Sequence, residues 1–188
     1  MNHTLKAIVC GYTFRVELID APPLPGYPEP YGLLCAILQD GTNEWRLEMD
    51  QDLPAEAMVW QAYPGGHSIG GCILHMIAVE VFWLEEYVLG EKMSAEERKL
   101  FQWDETDVDN WKWAVPPSEP FSWYLALQDQ VRARVLESIK RWPAPDTKIE
   151  GWGKERTPRW VFGHVIQHES YHGGQALLLQ RLWQVRNG

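Results

Sequence analysis

The stretch PRWVFGHVIQHESYHGGQALLLQRL, Pro158–Leu182, decides how the chain has to be built. Laid on a helix, Val161, His164, Val165, His168, His172, Gln175, Leu179 and Leu182 share one face by the i, i+3, i+4 rule. The ends of that face are apolar, so it packs against other helices. Its middle is His164, His168, His172 and Gln175, where a bundle core wants leucine. A buried polar group without a partner costs on the order of 1–3 kcal/mol, so four on one face call for a common partner. A metal ion is the natural one. Histidines at i and i+4 lie about 6 Å apart along the axis and about 40° apart around it, and both rings can reach one ion at about 2.0–2.1 Å. Two ligands do not make a tight site, so another helix must supply a third.

The segment SIGGCILHMIAVEVFW, Ser68–Trp83, supplies it. Ser68 reads as an N-cap, and the helix runs to about Gly90, a fitting stop. Its inward stripe is Gly71, Cys72, His75, Val79, Phe82 and Glu86, with His75 in the middle. Gly70, Gly71, Gly173 and Gly174 each cost roughly 1 kcal/mol in a helix interior relative to alanine. Their place beside the proposed ligands predicts that space is wanted there. His164 and Gln175 read as groups that hydrogen-bond the ligands rather than bind the ion. His3 and His67 lie outside the inward stripes and read as ordinary.

His168–His172 also spells H-E-x-x-H, the zinc-protease string. In zincins the third ligand follows that helix. Here the tail after His172, GGQALLLQRLWQVRNG, contains no His, Glu or Asp. A peptide cleft also needs an edge strand, and the pattern predicts no sheet beyond the N-terminus. Glu169 lies about 100° around the helix from His168, toward a neighbouring helix or solvent. The protease reading therefore stands behind the others.

Outward from these two segments the pattern stays helical. Leu34, Leu38, Gly41, Thr42, Trp45 and Met49 predict a first helix over about 31–50, and a loop with Pro54, Pro64, Gly65 and Gly66 follows. Ser94–Glu97 reads as a capping box opening a short helix. The irregular segment from about 103 to 121 is long for a connection inside a compact domain, and such segments are often functional. A third long helix spans about 123–142, with Tyr124, Leu127, Val131, Val135, Ile139 and Trp142 on one face and Pro143 ending it. Thr157 caps the last helix, with Pro158 at its first position. The fold class expected is all-α: a four-helix bundle over 30–188 with a long connection between its second and third helices. Residues 1–29 form a separate N-terminal extension. LKAIVCGYTFRVELID can make a short hairpin, since Val9, Phe14, Val16 and Leu18 partly alternate. APPLPGYPEP, with five prolines, reads as an extended tether.

Composition bounds the partners. A net charge of -9 repels phosphate backbones, so nucleic acid is not expected. No segment reaches the roughly 18 apolar residues of a membrane span, and no signal-peptide layout opens the chain. Cys10, Cys35 and Cys72 are odd in number and widely spaced, which reads as reduced thiols in a cytoplasm. The eleven tryptophans fill a core and interfaces, or they wall a large pocket. The extension's apolar residues Ile8, Val9, Phe14, Val16 and Ile19 are too few to bury one another. They must dock on the bundle or on a second copy, and a homodimer is expected.

The two quoted segments, a histidine in the second helix and H-x-x-x-H followed by Gly-Gly-Gln in the last, resemble the DinB/YfiT-like metalloenzymes. The likeness covers about 31–188. Carried over position by position, that family's metal triad falls on His75, His168 and His172. One departure is visible: where the family often has Arg before Gly-Gln, this chain has Gly173. The resemblance implies one divalent ion on three histidines, with zinc or nickel expected and iron also suited to imidazole. It implies open positions for water or substrate. Family members with assigned activities include transferases and isomerases that use low-molecular-weight thiols, and others are described as metal-dependent hydrolases. The expectation is a metal-dependent enzyme acting on a small molecule with water or such a thiol as cosubstrate. The alternative from another class is a non-catalytic bundle holding the ion structurally or as a sensor.

Overall fold

The computed structural model describes residues 20–107, 109–110 and 112–188, together with the backbone of 5–9 and 12–16. Six helices are found among them: α1 (Tyr31–Glu48), α2 (Ala55–Val59), α3 (Ile69–Glu80), α4 (Ala95–Leu100), α5 (Phe121–Ile139) and α6 (Pro158–Asn187). A π-helical segment, Val81–Tyr87, carries α3 onward, and Gly90, at φ +76°, ends the run. The helix α6 packs on both α1 and α3, and α3 packs on α5. The fold is the all-α bundle expected of the helical periodicity. No helix among the described residues is long and apolar enough to cross a membrane.

Local chemistry explains where the helices start. Ser68 Oγ accepts from the Gly71 N–H at 3.1 Å. Ser94 and Glu97 form the reciprocal capping box, and Thr157 Oγ1 accepts from the Trp160 N–H ahead of Pro158. Each satisfies amides that the first turn leaves without a carbonyl.

The helix α3 does not present an inward stripe. Every residue from Ile69 to Glu80 is buried except His75, which is half-buried. A helix that is apolar all round belongs in the centre of a core, and α3 lies there between α5 and α6. At the other end of the histidine face, Leu182 is exposed, while its neighbour Trp183 packs on Trp60. The arc that α6 buries is also wider than the histidine face, taking in Phe162, Glu169, Gly173, Ala176 and Gln180.

Three further differences have local causes. The helix α2 occupies part of the loop expected between the first two long helices. A hairpin, β3 (Ile149–Gly151) with β4 (Lys154–Arg156), interrupts the connection into α6, where no sheet was expected. Its two turn residues, Trp152 and Gly153, both have positive φ, 49° and 67°, the pattern of a tight hairpin turn. The N-terminal hairpin is present, with β1 (Leu5–Val9) antiparallel to β2 (Tyr12–Val16). The docking expected of Ile8, Val9, Phe14, Val16 and Ile19 lies outside the described residues. The proline-rich tether folds back rather than running on: the Leu24 N–H donates to the Gly32 carbonyl at 3.0 Å, and Leu24 and Tyr27 pack on the core.

The bundle centre contains a charge network. Arg132 of α5 donates from Nε to both Glu80 oxygens, at 2.7 and 2.8 Å, and from Nη2 to Glu169 Oε2 at 3.3 Å. Glu169 Oε1 also accepts from Thr42 Oγ1 at 2.6 Å and Trp45 Nε1 at 2.8 Å, both on α1, and from Gln128 Nε2 of α5 at 3.2 Å. All six side chains are buried. Burial pushes the Glu80 carboxyl up against the opposing pull of Arg132. Removing the cation leaves two buried carboxylates uncompensated, so Arg132→Met is expected to cost about 3–5 kcal/mol in urea unfolding. A loss under about 1 kcal/mol would mean the network does not hold the bundle.

Candidate metal centre

His75 on α3 and His168 and His172 on α6 are brought together by the packing of those two helices. One ligand atom from each lies within 4.8 Å of the others, so the three could hold a metal ion. The ring centroids are 4.7 Å apart for His75 and His172, 5.6 Å for His75 and His168, and 5.5 Å for His168 and His172. His172 is buried, and His75 and His168 are half-buried.

Two atoms test whether these residues suit an ion. His172 Nδ1 lies 2.8 Å from Gln175 Oε1. Against an amide oxygen the ring donates from Nδ1, which leaves Nε2 as the lone-pair nitrogen. The buried Nδ1 of His168 has no hydrogen-bond partner among the described residues. Buried polar atoms are almost always paired, and a metal ion is one partner that a neutral imidazole nitrogen can take. The donor set fits a borderline divalent metal.

Burial keeps the group ready to ligate. It pushes His75 well below the ordinary histidine range, and the neighbouring His172, His168 and His67 push the same way. It takes His168 down to about 4, with His164 adding to the effect. His172 also falls to about 4, chiefly by burial, although its bond to Gln175 acts against the fall. Neutral imidazole is the ligating form. Cys35 and Cys72 take no part: both are buried free thiols whose pKa burial raises to about 12.

The surroundings revise several sequence expectations. His164 makes no hydrogen bond to a ligand among the described residues. Its ring stacks on Trp160 at 5.1 Å and 10° and meets His168 edge-on at 4.5 Å. His67 is not ordinary, since it sits 3.9 Å from Trp113 and 6.2 Å from His172 between ring centroids. Trp113, in the long connection before α5, covers the site and contacts His75 and His172 at 5.1 and 5.8 Å. It is tied down through its backbone, donating N–H to the Gly65 carbonyl and accepting from Gln61 Nε2. The length and tryptophan content of that connection were the signal for it.

Of the four glycines expected to make room here, only Gly71 faces the site, with Trp113 beyond it. A Cβ on Gly70 would meet Tyr124, and Gly174 is exposed. A Cβ on Gly173 would lie 2.6 Å from Trp45 Cδ1. Trp45 therefore occupies the space beside residue 173, and the glycine there serves the packing of α1 on α6.

The tryptophans divide between the two readings. Trp45 and Trp142 are core. Trp83, Trp152 and Trp160 instead form a cluster with Phe82 and Tyr87 around the Arg156 guanidinium, next to His164. Glu169, about 100° around the helix from His168, turns its carboxylate into the Arg132 network. Its carboxylate is engaged there, so it is not placed as the general base of a protease.

An all-α bundle with three histidines converging from two helices defines the class: a helical protein with a candidate metal centre. The chain matches the family model of the DinB superfamily over residues 47–176. It belongs to that superfamily. No curated protein matches it.

The pKa shifts give the site a pH signature. The folded metal-free chain holds His168 and His172 neutral down to about 4, whereas unfolded histidine titrates near 6.5. Between those values the unfolded chain binds more protons, so stability falls as pH drops through the window and is fully present above it. Urea unfolding of metal-free protein should show a falling free energy from pH 6.5 to 5. A flat profile there would mean that the two rings are not held neutral.

Proposed function

We propose that the chain is a metal-dependent enzyme in which His75, His168 and His172 hold one divalent ion and act on a small molecule. Zinc, nickel and iron all suit the imidazole donors. The observation that carries this reading is the convergence of His75, His168 and His172, with one ligand atom from each lying within 4.8 Å of the others. Three neutral imidazoles leave such an ion its full charge. When bound, it supplies the Lewis acidity that lowers the pKa of a water or a low-molecular-weight thiol, giving a nucleophile at neutral pH.

The chain's own residues do the rest. Burial holds the three rings unprotonated, and Gln175 fixes the orientation of His172. Trp113 shields the site from bulk water, and Trp160 with His164 walls it beyond His168. A structural zinc site is normally closed by four protein donors. Among the described residues the group numbers three, Cys72 is locked as a thiol, and His164 is stacked on Trp160. That supports an open position, and with it catalysis over a purely structural or sensory ion.

Elemental analysis of protein purified without chelators should find about one divalent ion per chain. His168→Ala should lose it, while Glu169→Gln keeps it. Stoichiometric metal in His168→Ala would remove the pair on α6 from the site.

A further inference from the structure

A cavity of about 100 Å³ lies between α3 and the segment that follows α4. Its α3 wall is Gly71, Leu74 and Ala78, and its outer wall is Phe101 and Trp103, with Thr106 lining it from the loop. His75 belongs both to this lining and to the histidine group. The cavity therefore adjoins the candidate metal centre directly.

Its chemistry is selective. Among the described residues, no Asp, Glu, Lys or Arg side chain lines it. Besides His75, the polar side chains are Thr106 and Gln102, and Gln102 Nε2 already donates to the Val115 carbonyl at 2.7 Å. An ionised group entering here would lose its water and find no counter-charge, at a cost of several kcal/mol. The outer wall is held in place. Phe82 stacks on Trp103 at 4.9 Å, and the Trp103 N–H donates to the Arg98 carbonyl at 2.9 Å. A cavity of about 150 Å³ accepts the six carbons of benzene, so one of this size takes about four non-hydrogen atoms.

We infer that the cavity receives an uncharged, apolar end of the substrate, about four non-hydrogen atoms long, while the reacting end lies at His75, His168 and His172. This rests on the proposed enzyme reading. It narrows the substrate to molecules with a short aliphatic tail next to the reacting centre and excludes those with a carboxylate or phosphate at that end.

The cavity is tested without metal. Methyl resonances of Leu74, Ala78 and Thr106 are followed by NMR in the full-length, metal-free chain during titration with 1-butanol and with butyrate at pH 7. Saturable shifts with butanol are expected, with butyrate binding at least tenfold more weakly. Thr106→Phe, a change in a loop rather than in the core, should weaken butanol at least tenfold by filling the cavity. Equal affinity for the two probes, or no saturable shift with butanol, overturns the inference without relying on any variant.

The link to the metal centre has its own arm. In cobalt(II)-loaded protein, visible absorption should give 1-propanethiol at least tenfold higher affinity than 3-mercaptopropionate, and equal affinities overturn the link. Failure of cobalt to bind the wild-type chain at all would strike the enzyme reading, while the butanol titration would still judge the cavity.

Discussion

The burial of Glu169 sets the rotation of α6, and the site follows from that rotation. A carboxylate at 2% exposure needs every lone pair engaged. Donors from α1 and α5 meet it: Thr42, Trp45, Gln128 and Arg132. With residue 169 locked on that side, helix geometry turns residues 168 and 172 toward α3, where His75 waits. The acidic residue inside H-E-x-x-H thus acts as an anchor. In a zincin the same letter would be the base that activates water. The difference is made by what stands opposite the residue, and here that is a guanidinium and an indole N–H.

The same packing makes the histidines chemically unusual. Withdrawn from water and crowded together, they stay neutral well below the ordinary histidine range. A site of this kind gives up stability in acid, and an ion bound by the three rings would return it. Trp113 and the aromatic cluster near His164 line the surroundings with rings, and a cavity with a largely apolar lining adjoins His75. Cost and use fall on the same residues, as expected where a fold sets packing aside for chemistry.

Much of this was legible before the structure. Periodicity located the four long helices, and Ser68 and Thr157 marked two of their starts as Ser94 marked that of the short α4, because capping is decided by a few adjacent residues. His75, His168 and His172 stood out because polar groups on an apolar face have few explanations. What escaped depends on contacts between distant parts of the chain. The role of Gly173 rests on Trp45, more than a hundred residues earlier. The Arg132 network joins four helices, and no local pattern distinguishes its members from surface polar residues. His67 and Trp113 reach the site through loops whose course is set by single hydrogen bonds such as that from Trp113 to Gly65. The all-round burial of α3 was hidden because its apolar residues fit an inward stripe equally well.

The central claim is that one ion is held by imidazoles from two helices, with a position left open. X-ray absorption at the zinc edge, on protein loaded with one equivalent, counts those ligands directly. The account predicts three imidazole nitrogens at about 2.0–2.1 Å and a further light scatterer from water. A sulfur shell near 2.3 Å, or fewer than three imidazoles, would contradict it.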